Sequence, residues 1–161
     1  MLTNGTKTKL IHAALRARER AYAPYSGFHV GAALLAWGGD VYTGANVENA
    51  TYGATICAER SAVVTAVSAG ERRFRAVAIA SQASPPAPPC GICRQVLSEF
   101  GADLAVILVN TRGEVVETDL ATLLPMNFVL RKKRSAFSHQ PSARKRTHRK
   151  RGVGLGLKAD S

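Results

Sequence analysis

Three cysteines and one glutamate are the side chains whose types and spacing could do chemistry. Cys57 opens the segment Cys57-Ala-Glu-Arg60, and Cys90 and Cys93 form a C-x-x-C pair. Two thiolates at that spacing can clamp one metal ion, and Cys57 supplies a third ligand, which leaves one position of a tetrahedral zinc open. Thiolate ligands favour zinc over magnesium or calcium. The pattern therefore predicts a catalytic zinc site rather than a closed structural one.

Glu59 lies two residues after Cys57 at the expected start of a helix. On a helix its side chain does not share the direction of the ligand, so it can face the open metal position. Zinc lowers the pKa of a bound water from about 15.7 toward roughly 7. A carboxylate at that place can take a proton from the water and pass it to a substrate.

Three thiolates around one zinc leave a net negative charge, which weakens the effect of the metal on the water. Each cysteine motif begins an expected helix, whose positive N-terminal end offsets part of that charge. Arg60 and Arg94 follow the ligand cysteines, and we expect their guanidinium groups to donate hydrogen bonds to sulfur.

The apolar pattern predicts the elements that must hold these side chains, in the order α-β-β-α-β-α-β-β-α. The expected helices cover residues 6–21, 57–69, 91–100 and a last turn through 124, and the expected strands cover 28–37, 41–47, 74–81, 104–109 and 114–117. Thr6 or Thr8 is the expected cap of the first helix. Strands separated by helices predict parallel neighbours in an α/β domain. The last two strands should be antiparallel, because a four-residue turn cannot make a parallel crossover.

The positive charge of the chain is concentrated at its C-terminal end. The sequence holds 22 Lys and Arg against 11 Asp and Glu, a net charge of +11, yet residues 131–161 alone hold 11 of the basic residues and a single acid, Asp160. We therefore expect a near-neutral catalytic domain over residues 1–130, followed by a basic, disordered tail over 131–161. Weak nucleic-acid binding by that tail stays open, and so does the alternative that it has no role.

Five sequence blocks give the chain a family resemblance. They cover residues 22–33, 44–52, 57–60, 89–95 and 123–128. Together they resemble the cytidine deaminase family, specifically its small homotetrameric class. The resemblance implies a three-layer α-β-α fold with a mixed five-stranded sheet and one Zn²⁺ per subunit. It also implies hydrolytic deamination of cytidine and deoxycytidine to uridine and deoxyuridine with release of ammonia, a step of pyrimidine salvage.

The same resemblance implies a role for each matching residue. Cys57, Cys90 and Cys93 are the implied zinc ligands, and Glu59 is the implied proton carrier. The implied substrate contacts are Phe28 on the base, Asn46 and Glu48 on the ribose hydroxyls, the backbone of Ala58 on the pyrimidine carbonyl, and Tyr52 and Phe128 in neighbouring subunits' sites. Asn46 and Glu48 also fit on chemical grounds, since alternate strand residues share one face.

Other functions stay open at this point. One is deamination of a cytosine-containing antibiotic such as blasticidin S, and another is deamination of cytosine in nucleic acid. A third is a zinc-stabilised nucleic-acid module without activity. An odd number of cysteines and an N-terminus without an apolar leader segment predict a cytoplasmic protein. No apolar run reaches the roughly 18 residues that a membrane span needs.

Overall fold

The computed structural model describes residues 2–130, so the expected tail over 131–161 lies outside the described residues. The described part holds five strands, four α-helices and one short 3₁₀ turn. In chain order they are α1 (Asn4–Arg18), β1 (Gly31–Ala36), β2 (Val41–Ala45), the 3₁₀ turn (Tyr52–Ala54), α2 (Ala58–Ser68), β3 (Phe74–Ser81), α3 (Gly91–Ser98), β4 (Ala105–Asn110), β5 (Val115–Asp119) and α4 (Leu120–Leu123).

The strands form one mixed sheet in the order β2-β1-β3-β4-β5. Only β3 and β4 are parallel, and α3 makes the crossover between them. The predicted antiparallel pairing of the last two strands is confirmed, with Ile107 opposite Glu117. The expectation of parallel neighbours does not hold around α2: β2 and β3 run in the same direction, but β1 lies between them and is antiparallel to both.

The sheet is covered by helices on both faces, which confirms the three-layer arrangement. Leu10 and Ala14 of α1 pack in one apolar cluster with Ala33 and Leu35. The next side chains along β1 point to the other face, where Leu34 packs in a cluster with α2 and α3. All six residues of β1 are buried as a result.

Gly44 lets α2 lie directly on the sheet. A Cβ atom built at Gly44 would lie 2.3 Å from the backbone nitrogen of Ala62. Only glycine permits this close approach of helix and strand. The first turn of α2, which follows Cys57 and carries Glu59, is thereby held at a fixed depth over β2.

Several element ends differ from the expectations, including the following three. The cap of α1 is Thr3, whose hydroxyl accepts a hydrogen bond from the backbone of Thr6, so the helix begins earlier than expected. The first strand begins at Gly31 rather than at Phe28, and β2 ends at Ala45. The first strand begins late because the backbone of Phe28 bonds to the side chains of Ser26 and Asn46 instead of to a neighbouring strand.

The helices of the described part are short. The longest is α1 with 15 residues. No helix within residues 2–130 combines the length and the apolar character that crossing a bilayer requires.

Candidate active site

The three cysteines come together where two helices begin. Cys57 is the N-cap of α2, Cys90 is the N-cap of α3, and Cys93 lies buried in the first turn of α3. The Sγ atoms of Cys57 and Cys90 are 3.9 Å apart, and the three Sγ atoms lie within 4.8 Å of one another. A tetrahedral zinc with Zn–S bonds of about 2.3 Å holds its sulfurs about 3.8 Å apart. The cluster therefore fits zinc in both ligand type and spacing.

The electrostatics of the cluster favour a thiolate at Cys57. A hydrogen bond from Cys93, followed by one from Arg60, lowers the pKa of Cys57 to about 5. The same contact raises the pKa of Cys93, which keeps its proton while Cys57 loses one. A metal binds the thiolate form, so zinc binding to all three residues releases protons.

The two arginines next to the cysteines act differently. The Nη2 atom of Arg60 donates to the carbonyl of Thr55 at 2.6 Å and lies 3.8 Å from the Sγ atom of Cys57, as expected. Arg94 donates instead to the carbonyls of Pro89 and Leu123, at 2.8 and 2.9 Å. Its guanidinium ties the residue before Cys90 to the end of α4, and it has no hydrogen bond to sulfur within the described residues.

Glu59 shares a small cavity with the cysteine cluster. It is the second residue of α2, is only 4% exposed, and lines a cavity of about 180 Å³ together with Cys57 and Cys90. Burial raises the pKa of Glu59, and the negative charge on Cys57 adds to the effect. A carboxyl group in this position can hold a proton at a higher pH than an exposed one and can exchange it with a bound molecule.

The walls of this cavity are mostly apolar and its polar groups are few. Its other lining residues are Phe28, Val30, Asn46, Thr55, Ile79, Ser81, Ala87 and Pro88. Apolar walls with a small number of placed polar groups are typical of sites for small organic ligands. The dimensions and the lining suit one heteroaromatic ring.

Asn46 lies just beyond the end of β2 and is 7% exposed. Its Oδ1 atom accepts from the backbone N–H of Val30 at 2.8 Å, and its Nδ2 atom donates to the carbonyl of Phe28 at 2.9 Å. The carboxamide has two N–H hydrogens, and the contact with Phe28 uses one of them. Asn46 thus holds the chain around Phe28 and can offer its other hydrogen to a ligand.

Glu48 lies in an adjoining cavity of about 340 Å³, and not in the cavity that contains Glu59. Its carboxylate accepts hydrogen bonds from the Ser26 hydroxyl and from the backbone N–H groups of Tyr25 and Ser26. The hydroxyl of Ser26, followed by the N–H of Tyr25, lowers the pKa of Glu48. Thr55 lines both cavities, so the two adjoin.

The remaining expected contact residues differ in their surroundings. Ala58 is fully buried as the first residue of α2, where a helix leaves its backbone N–H without an intrahelical partner. Tyr52 is 81% exposed in the 3₁₀ turn and lines the cavity of Glu48. Phe128 is 69% exposed, and its backbone is held by hydrogen bonds to the side chain of Gln95. Neither aromatic ring lines the cavity of Glu59.

Comparison with known proteins places this site in a family. A family model described as the cytidine and deoxycytidylate deaminase zinc-binding region matches residues 5–109. The chain belongs to this family. A cytidine deaminase of Sporosarcina psychrophila is 50% identical over 121 residues, which cover 74% of this chain and 89% of the relative. One of Halalkalibacterium halodurans is 51% identical over 120 residues, covering 74% and 91%.

A solved structure agrees with this assignment. The crystal structure of cytidine deaminase from Burkholderia pseudomallei aligns with a TM-score of 0.74 and 48% identity. The alignment covers 79% of this chain and 100% of that one. Both the fold class and the family expected from the sequence are therefore confirmed, and the matched zinc-binding region contains the cysteine cluster, which is positioned to hold a metal ion.

The sequence did not indicate several residues that shape this deaminase site. Ser26 is one, because its hydroxyl bonds to Glu48 and accepts from the backbone N–H of Phe28 at 3.0 Å. A serine before a glycine in a turn is a local signal for such a bond. Gln82 is another, and its contacts with the chain around Phe28 have no local signal, since they join positions 53 and 55 residues apart.

Proposed function

We propose that this chain hydrolyses the exocyclic amine of cytidine and 2′-deoxycytidine, taking up water and releasing ammonia to leave uridine and 2′-deoxyuridine. The observation that carries the proposal is the buried carboxyl of Glu59, which lines one small cavity with the thiols of Cys57 and Cys90. Cys57, Cys90 and Cys93 would hold the zinc ion, which would supply a water molecule able to lose a proton near neutral pH.

Glu59 is the group that moves protons in this reaction. It accepts one proton of the attacking water and delivers it to ring nitrogen N3 while the water oxygen bonds to C4. It then takes the second proton from that oxygen and delivers it to the exocyclic amine, which leaves as ammonia when the C4–N bond breaks and the C4 carbonyl forms. The burial that raises the pKa of Glu59 suits this role, because the carboxyl must be both protonated and ionised within one turnover.

Phe28 and Ala58 bind the pyrimidine. The ring of Phe28 forms one wall of the cavity and packs on the base. The backbone N–H of Ala58, at the positive end of α2, donates to the pyrimidine carbonyl. The apolar walls exclude competing water from the ring.

Asn46 and Glu48 bind the ribose. Asn46 offers its remaining N–H hydrogen, and Glu48 offers a carboxylate whose pKa is lowered by the hydrogen bond from Ser26. A carboxylate accepts hydrogen bonds from sugar hydroxyls but repels a phosphate group. This favours a free nucleoside over nucleic acid, and a cytosine-containing antibiotic also has less support, because relatives about 50% identical are named cytidine deaminases.

The active form is a homotetramer in this proposal. Tyr52 and Phe128 are largely exposed and lie outside the cavity of Glu59, which is the arrangement needed if each completes a neighbouring subunit's site. Ile92 and Met126 are further exposed apolar side chains that an assembly would bury. Sedimentation that finds only active monomers would contradict this part of the proposal.

The cellular compartment and the extent of the catalytic domain are also part of this proposal. Three free cysteines suit the reducing cytoplasm, where the enzyme would act in pyrimidine salvage. Residues 1–130 form the catalytic domain in this proposal, and the basic tail over 131–161 is separable from catalysis. Cytidine carries no phosphate, so its binding does not need the positive charge of the tail.

The decisive experiment compares the purified protein with its Glu59→Gln variant by the loss of cytidine absorbance. We expect the wild-type protein to deaminate cytidine. The Glu59→Gln variant should keep the same zinc content, and its kcat should be about 10²–10⁴-fold lower. Glu19→Gln, on the exposed end of α1, is the matched control and should keep full activity. Zinc-loaded wild-type protein that does not deaminate cytidine would refute the proposal, and so would a Glu59→Gln variant of normal rate.

A further inference from the structure

The wall of the cavity that contains Phe28 belongs to an irregular segment. Phe28 precedes β1 and follows Gly27, whose φ of 65° lies in the left-handed region that glycine adopts readily. No strand pairing fixes its backbone, so side chains must do so. Ser26 and Asn46 bond to the N–H and the carbonyl of Phe28 itself.

Gln82, which follows directly after β3, forms hydrogen bonds to the backbone of this segment on both sides of Phe28. Its Nε2 atom donates to the carbonyl of Gly27 at 2.9 Å, and its Oε1 atom accepts from the backbone N–H of His29 at 3.2 Å. One carboxamide thus bridges the two residues that flank the ring-bearing residue. Gln82 is half-buried and does not itself line the cavity.

Arg18, the last residue of α1, fixes the orientation of that carboxamide. Its Nη2 atom donates to Oε1 of Gln82 at 2.9 Å, while its Nε atom donates to the carbonyl of His29 at 3.1 Å. A donor aimed at Oε1 prevents the amide from flipping, because a flipped amide would place N–H against N–H. The planar fork of arginine matches this pair of acceptors, and a lysine could not hold both in one plane.

We propose that Gln82, locked in place by Arg18, is a positioning residue that holds Phe28 against the pyrimidine base. It acts through the backbone on both sides of Phe28 and touches neither substrate nor metal. The inference rests on the proposed function, since it assigns Phe28 the role of base platform. It goes beyond that function by making α1 and the end of β3 determinants of nucleoside affinity.

The test measures kcat and KM for Gln82→Ala and Gln82→Glu on cytidine and on 2′-deoxycytidine. For Gln82→Ala we expect KM to increase about tenfold, equivalent to about 1.4 kcal/mol, with kcat within about twofold of wild type. The increase should be the same for both nucleosides, because the base and not the sugar is affected. Gln82→Glu keeps the acceptor for Arg18 and His29 but loses the donor to Gly27, so its KM should lie between that of the wild type and that of Gln82→Ala.

Arg18 provides an independent arm of the test. Arg18→Met should increase KM about three- to fivefold, as expected for loss of its hydrogen bonds to Gln82 and to the carbonyl of His29. Arg16→Met is the matched control, because Arg16 is exposed on the same helix and has no hydrogen bond to this segment. In the double variant with Gln82→Ala the combined effect should be smaller than the sum, because the bond from Arg18 to Gln82 is lost in both single variants while its bond to His29 is independent of Gln82.

The outcomes separate this inference from the proposed function. A wild-type protein without cytidine turnover refutes the function itself. An active wild type whose Gln82 variants keep a normal KM refutes the positioning role alone. A purely structural role would reduce the active fraction and therefore kcat at unchanged KM, which also overturns the inference. If Gln82→Ala does not fold, Gln82→Glu and Arg18→Met decide between these results.

Discussion

Replacing Gly44 by alanine tests whether the contact between α2 and β2 sets the geometry of the active site. The new Cβ atom would lie 2.3 Å from the backbone nitrogen of Ala62, whereas ordinary contact begins at 3.4 Å. Backbone cannot rotate away as a side chain can, so helix and strand must separate by about 1 Å. Overpacking of this kind costs about 1–3 kcal/mol in the free energy of unfolding.

The separation also affects the chemistry, because the two elements carry different parts of the site. Glu59 lies on α2, while Asn46, which holds the chain around Phe28, follows the end of β2. Whichever element gives way, Glu59 moves relative to Phe28. A misplacement of about 1 Å costs about 10²-fold in rate, so kcat/KM should decrease by that factor.

Gly38→Ala is the matched control for this experiment. No atom lies within 4 Å of a Cβ built at Gly38, and its φ is not in the left-handed region, so this variant should behave like wild type. Thermal unfolding followed by circular dichroism should place the midpoint of Gly44→Ala about 4–12 °C lower. A Gly44→Ala protein with wild-type stability and wild-type kcat/KM for cytidine would refute the reasoning.

Three further expectations concern charge and metal. Ser26→Ala removes the hydroxyl that most lowers the pKa of Glu48, so an NMR titration of that carboxyl should show a higher midpoint. The ionised form of Glu48 stabilises the folded protein above its unfolded pKa near 4.5, and this contribution is lost as pH falls through the lower pKa of the folded state. The Ser26→Ala variant, with a higher folded pKa, should lose the contribution at a higher pH. An unchanged titration midpoint of Glu48 would contradict this prediction. Chelation of zinc should lower the unfolding temperature and abolish deamination, with recovery on adding zinc and none on adding magnesium. Deleting residues 131–161 should leave cytidine turnover unchanged and remove any salt-dependent binding to a single-stranded oligonucleotide, whereas loss of turnover would show that the tail serves catalysis.

The fold could be predicted from the sequence wherever local patterns were strong. The strand over 74–81 has the expected bounds, because its apolar run from Ala76 to Ala80 is bounded by charged residues and a turn and has few alternatives. The antiparallel last pair followed from the length of the turn alone. The position of β3 beside β1 could not be predicted this way, since the order of strands in a sheet is set by contacts between distant parts of the chain.

The residues of the candidate site also fall into those that local sequence patterns indicate and those that they do not. Cys57, Glu59 and Cys90 could be singled out because each lies at the start of an expected helix, which is a local feature, and packing of α2 against α3 brings them together across 33 positions. Asn46 and Glu48 were expected on one face of a strand, but the structure places both beyond β2, in two adjoining cavities.

The reason for that difference also explains what the sequence could not indicate. The segment before β1 is held by side chains that bond to backbone, and these join residues that are 16 to 55 positions apart. Such bonds leave no periodic trace, because a single Asn or Gln at the right place is sufficient. The cysteine motifs are therefore recognisable in the local sequence, although Cys57 and Cys90 are 33 positions apart, whereas the contacts that Asn46 and Gln82 make around Phe28 have no such motif. It follows that substitutions distant in sequence, such as those at Arg18, should change nucleoside affinity while leaving zinc binding intact.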